Sequence, residues 1–178
     1  HVAFLGLLVG AGPVLADAGV PMLAVVWPIS WLLLLPIVIV EALVAQALLD
    51  LKPRQSLVVA AKANVASTLI GIPLTWLSLL LVELLLTKGL AFGLRTPSDK
   101  ILAFTLQAPW LIPYEGSLHW LVPAAAIVLC VPFFFVSVFT ERAVVRRLVP
   151  QASPSAVSWW SWRANLITYG FVLCALAV

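Results

Sequence analysis

Two glutamates and two asparagines stand at matching places in a chain that is otherwise almost wholly apolar. Glu41 precedes Asn64 by 23 residues, and Glu141 precedes Asn165 by 24. Their surroundings repeat too. EALVAQALLDLKPRQSLVVAAKANVAST, from Glu41 to Thr68, is echoed by ERAVVRRLVPQASPSAVSWWSWRANLITY, from Glu141 to Tyr169. Each copy ends an apolar run at a glutamate, passes a basic turn containing proline, and opens a new apolar run at Lys62-Ala63-Asn64 or Arg163-Ala164-Asn165. A carboxylate accepts hydrogen bonds, holds a proton or attracts a cation, and an amide opposite it donates. In hydrocarbon such groups are costly unless paired. Two readings follow: interhelical hydrogen bonds that set hairpin register, or a proton or cation site shared by the copies.

The turns locate these residues. The midpoint between Glu41 and Asn64 falls at Lys52-Pro53, and that between Glu141 and Asn165 at Ser153, beside Pro154. In an antiparallel hairpin, residues equidistant from the turn share a depth, so each glutamate should face its own asparagine. Eleven residues of helix put each pair about 16 Å from the turn tip. Part of that length carries Gln46, Asp50 and Lys52, so we place the pairs near the inner-leaflet interface.

Composition sets the class of element that must hold them. Hydrophobic residues make up 63% of the 178-residue chain and charged ones 10%, and mean hydropathy is +1.15. This is the composition of an integral membrane protein. Four apolar spans are expected: Pro21 to Val40, Asn64 to Leu86, Leu121 to Thr140, and residues 157–178. Pro28 and Pro36 should kink the first of them. The apolar stretch of residues 1–16 resembles the core of a secretory signal. Gly6 and Gly10 instead suit a retained, closely packed first helix, which we favour. The fold expected is therefore an all-α membrane protein of four transmembrane helices in two pseudo-repeated hairpins, plus an N-terminal apolar helix. Its segments are residues 1–20, a first hairpin at 21–88, an outward-facing interfacial linker at 89–120, and a second hairpin at 121–178.

Charge orients this arrangement. The repeat turns hold Lys52, Arg54, Lys62, Arg142, Arg146, Arg147 and Arg163, most of the ten basic residues behind the net charge of +3. Two spans separate the turns, so they share a side, and the positive-inside rule makes that side the cytoplasm of a bacterial inner membrane. Lys62 and Arg163 could neutralise the glutamates while snorkelling to headgroups. Trp110, Trp120, Trp159, Trp160 and Trp162 are expected as interfacial anchors, and Glu83 as an interfacial residue near the outer end of its helix. In the linker, Thr96-Pro97-Ser98-Asp99 reads as a capped helix start, with a short surface helix ending before Pro109.

Other chemistry is poorly represented. Glu115 and His119 have the i,i+4 spacing of metal ligands, but no third ligand is near, and we expect a solvated pair and no metal. Cys130 and Cys174 fall within apolar spans as small hydrophobes. Ser67, Thr68, Ser137 and Thr168 are hydroxyl residues of helices, where back-bonding or close packing is the usual role. No HExxH, GxSxG or phosphate-cradling glycine loop occurs, so neither an enzyme nor a cofactor is expected. Scattered basic residues with no groove-reading motif argue against nucleic acid. The partners expected are the lipid bilayer and other membrane protein subunits.

With Glu41, Arg54, Asn64, Ser67, Thr68 and Gly71 in view, residues 37–72 resemble the cyanobacterial filament integrity proteins. In that family an apolar span ending in glutamate leads through a basic turn to N-x-x-S-T before a glycine. Residues 17–22 and the second copy from Glu141 do not map onto the family. The resemblance implies a non-enzymatic role in cell–cell junctions or envelope organisation. The reading from the residues is the same in kind: a structural or accessory subunit of a larger membrane assembly. The alternative is a small proton- or cation-coupled transporter or channel using Glu41 and Glu141.

Overall fold

A computed structural model describes residues 32, 34–88, 95–106 and 118–176. The N-terminal apolar stretch, Trp110, Glu115 and the side chain of His119 lie outside the described residues. Among those described there are five helices and no strand: α1 (Leu34–Leu49), α2 (Pro53–Thr87), α3 (Pro97–Leu106), α4 (Leu118–Leu148) and α5 (Pro154–Leu176). Short turns make α1–α2 and α4–α5 antiparallel hairpins. The hairpins then pack α2 along α4 and α1 along α5, closing a ring of four helices in the order α1, α2, α4, α5.

Local chemistry explains the turns. Asp50 ends α1 in the left-handed region, at φ 51°, a conformation Asp tolerates better than most residues. Pro53 then occupies the first position of α2, where its missing N–H costs nothing. In the second hairpin Ser153 caps α5, accepting from the Ala156 N–H at 3.2 Å, with Pro154 next to it. The helices on either side of each turn are continuous and run beyond the apolar spans. Neither glutamate ends its helix: α1 continues past Glu41 to Leu49, and α4 past Glu141 to Leu148. Likewise α2 begins at Pro53, well before Asn64.

The bundle is turned inside out relative to a water-soluble one. Its interior holds many small or polar residues, with Ala45, Ala60, Ala63, Ser56, Asn64, Ser67 and Thr168 buried beside one Val- and Trp-filled cluster, while Leu69, Leu81, Phe139, Leu166 and Phe171 face outward. Large contiguous apolar surface around small-residue interfaces is the pattern of helices packed in lipid. Two helices, Pro53–Thr87 and Pro123–Leu148, are long and apolar enough to cross a membrane. At 35 residues, α2 is about 52 Å long, more than the roughly 30 Å thickness of a bilayer's hydrocarbon core.

Helix α3 starts with the expected capping box. The Thr96 N–H donates to Asp99 Oδ2 and the Asp99 N–H to Thr96 Oγ1, both at 3.1 Å. Its last turn is buried, with Phe104 packed against Leu121 and Ala125 of α4 and against Trp120. Glu83 lies near the end of α2, which runs to Thr87, and is buried. Gly71 lies on the α2–α4 contact, where an added Cβ would meet Phe133 and Val136 at 3.6 Å. That is ordinary van der Waals contact, and the glycine is helical. Gly71→Ala should therefore stabilise the fold by about 0.5–1 kcal/mol. Lower resistance to sodium dodecyl sulfate in mixed micelles would show that the contact has no room.

Candidate functional site

The two glutamates and two asparagines meet at one level of the bundle, joined by two hydroxyl residues. Asn64 Nδ2 of α2 donates to Glu41 Oε2 of α1 at 2.6 Å, and Asn165 Nδ2 of α5 donates to Glu141 Oε2 of α4 at 2.7 Å. Each glutamate's second oxygen is taken by the other hairpin. Ser67 Oγ of α2 donates to Glu141 Oε1 at 2.9 Å, and Thr168 Oγ1 of α5 donates to Glu41 Oε1 at 3.3 Å. Every helix-to-helix contact around the four helices thus carries one of these four carboxylate hydrogen bonds, two within hairpins and two between them. The pattern has the pseudo-two-fold symmetry of the sequence repeat.

Position along each helix produces this. Asn64 and Ser67 are three apart, as are Asn165 and Thr168, so each pair shares a helix face one turn apart. The amide reaches back to its own hairpin and the hydroxyl reaches across. The amide orientations are fixed by their second hydrogens, which go to Ala60 O and Ser161 O at 3.0 Å. Flipping either amide would set oxygen against oxygen. Each hydroxyl also has an alternative acceptor on its own helix: Asn64 O at 3.1 Å from Ser67, and Ala164 O at 3.1 Å from Thr168. A hydroxyl that turns to its own backbone leaves its oxygen free to accept from the glutamate position. The site therefore suits a carboxylate as it stands, and an acid or amide after two hydroxyl rotations.

Between this ring and the turns lies an apolar plug. Ala45, Leu49, Val59, Ala63, Val145, Val149, Val157, Trp160 and Ala164 form one buried cluster there. Trp160, expected at the headgroup boundary, is fully buried in it and donates from Nε1 to the Glu41 backbone carbonyl at 3.2 Å. The correction has a simple cause. In the run Trp159-Trp160-Ser161-Trp162 successive residues are about 100° apart on a helix, so they cannot all face outward. Trp159 is the exposed one. Trp162 is half-buried, with its ring 5.6 Å from that of Phe134.

The two cations expected to neutralise the glutamates do other things. Lys62 is exposed and lines a surface groove, and the Arg163 guanidinium lies 5.1 Å from the Trp159 ring centroid. All four donors to the carboxylate oxygens are neutral. Among the described residues no group of His, Cys, Asp and Glu is arranged to hold a metal ion.

Ser67 and Thr168 were not singled out from sequence as donors between the hairpins. The signal was present: a hydroxyl residue stands three places after the asparagine in both copies. Comparison of the chain with family models, with curated proteins and with solved structures gives no match.

Proposed function

We propose that this chain is a non-enzymatic protein of the bacterial inner membrane, a structural or accessory subunit of a larger membrane or envelope assembly. It crosses the bilayer four times as two hairpins, with both repeat turns in the cytoplasm. The observation that carries this reading is the closed ring of hydrogen bonds, one at each helix contact, backed by the apolar plug. Both oxygens of each carboxylate are engaged by neutral side chains of the same bundle, so the polar groups act as a clasp. Trp159 and the large apolar side chains of the outer surface, such as Leu69, Phe139 and Phe171, are where other membrane subunits would pack. The likeness of residues 37–72 to filament integrity proteins supports an assembly at cell–cell junctions or in the envelope. Partners co-purified after mild solubilisation would name it.

A transporter or channel that uses the glutamates is the alternative, favoured by the rotatable hydroxyls, which can serve either protonation state. The Glu41→Gln/Glu141→Gln double variant separates the two. A glutamine accepts from the asparagine and donates to a hydroxyl that has turned to its own backbone, so both of its terminal atoms keep a partner and only its second amide hydrogen has none. We expect stability within about 1 kcal/mol of wild type and an intact cellular role. A variant that folds but loses its role would make proton coupling the better explanation, since glutamine cannot release a proton.

The orientation is tested in a background carrying Cys130→Ala and Cys174→Ala. Single cysteines at Arg54 and Gln151 should react with a membrane-impermeant maleimide from the cytoplasmic side, and one at Ser98 from the opposite side. Labelling of Arg54→Cys and Ser98→Cys from the same side would overturn the topology.

A further inference from the structure

The turn end of the first hairpin carries an open groove of about 440 Å³ between the start of α2 and the end of α4. Three cations line it: Lys52, Arg54 and Lys62. All three are exposed, and among the described residues none is held in an ion pair. The rest of the lining is largely aliphatic, from Val58, Val59 and Leu148. Val58 is itself exposed and continues into the outward apolar face with Leu57 and Val65. We infer that this groove binds an anionic phospholipid, with the headgroup phosphate among the three cations and the upper acyl chain along Val58 and Leu148. A soluble phosphate would use the cations and have no need of the aliphatic half.

The repeat supplies an internal comparison. Lys52-Pro53-Arg54 of the first hairpin corresponds to Ser153-Pro154-Ser155 of the second, and Lys62 corresponds to Arg163. Two cations are thus replaced by serines whose hydroxyls bond each other at 3.1 Å. The third is stacked over Trp159. At the positions that line the groove of the first turn, the second turn therefore has no free cation. Ser153 also caps its helix, whereas Lys52 makes no side-chain cap. The site rests on the proposed topology, which sets both turns at the cytoplasmic headgroups, where each nearby basic residue strengthens attraction to anionic lipid about five-fold.

Native mass spectrometry of the detergent-solubilised chain, titrated with phosphatidylglycerol or phosphatidylcholine, tests this. Phosphatidylglycerol should bind one molecule preferentially, and millimolar inorganic phosphate should not displace it. Lys52→Gln/Lys62→Gln should weaken that binding about thirty-fold. Arg146→Gln/Arg147→Gln removes equal charge from the second turn and should leave binding unchanged. Arg54→Gln carries the test if the double variant loses helicity. Equal loss in both charge pairs would reduce the effect to general surface attraction and overturn the site. So would displacement by phosphate, equal binding of phosphatidylcholine, or no retained lipid. Recovery of the chain with membranes on fractionation reports separately on the membrane reading.

Discussion

Trp160→Ala is expected to cost about 3–5 kcal/mol of stability, the usual loss when a fully buried tryptophan is truncated. Its ring fills the plug between Val59, Val145, Val157 and Ala164, and its Nε1–H reaches the backbone of α1 at Glu41. Three losses combine: dispersion contacts around the ring, the cavity left behind, and a hydrogen bond tying α5 to α1. The structure separates them. Trp160→Phe keeps much of the volume and gives up the donor, and should recover more than half of the loss. The measurement is unfolding by sodium dodecyl sulfate in mixed micelles, followed by loss of helical ellipticity. Trp159→Ala is the control, because Trp159 is 61% exposed. If Trp159→Ala and Trp160→Ala shift the midpoint equally, Trp160 is an interfacial anchor and the plug is misplaced.

Asn165→Leu comes next in size, at about 2–4 kcal/mol. Leucine has the same branched skeleton as asparagine, with two bulkier methyls in place of the amide oxygen and nitrogen, so much of the cost lies in what it leaves behind. Glu141 would keep only the Ser67 hydroxyl, with Oε2 buried and without its donor. Ser161 O would also lose the second amide hydrogen, although that carbonyl retains its place in the helix. The companion change Glu141→Leu should be milder. It leaves an amide hydrogen unpaired and frees Ser67 to bond Asn64 O, which lies 3.1 Å away. Removing both partners at once should be less harmful than the two single losses added together, because no polar group then faces an empty place. Additive losses across that cycle would mean that Glu141 and Asn165 do not act on each other. Asn64→Leu should repeat the pattern at Glu41, as the repeat symmetry requires.

Much of this was legible in the chain itself. The helical, apolar character follows from composition, and the depth of each polar pair from counting residues out from the prolines. Depth needs only a regular helix on both sides of a tight turn, and both are local properties. The start of α3 was equally readable, since Thr96, Pro97 and Asp99 settle their own hydrogen bonds within a single turn. Which side of a helix meets which neighbour is a different kind of fact. Trp160 lies inside and Trp159 outside because of how α5 is rotated against α1 and α4, and that rotation is chosen by four helices packing together. For the same reason Ser67 could be seen to lie one turn from Asn64, while its partner, 74 residues away on the other hairpin, could not. The sequence by itself determined the elements, their depth and the repeated polar set. Only the tertiary structure decided that the set closes into one ring, because each cross-hairpin bond depends on the separation and rotation of two helices that no local pattern constrains.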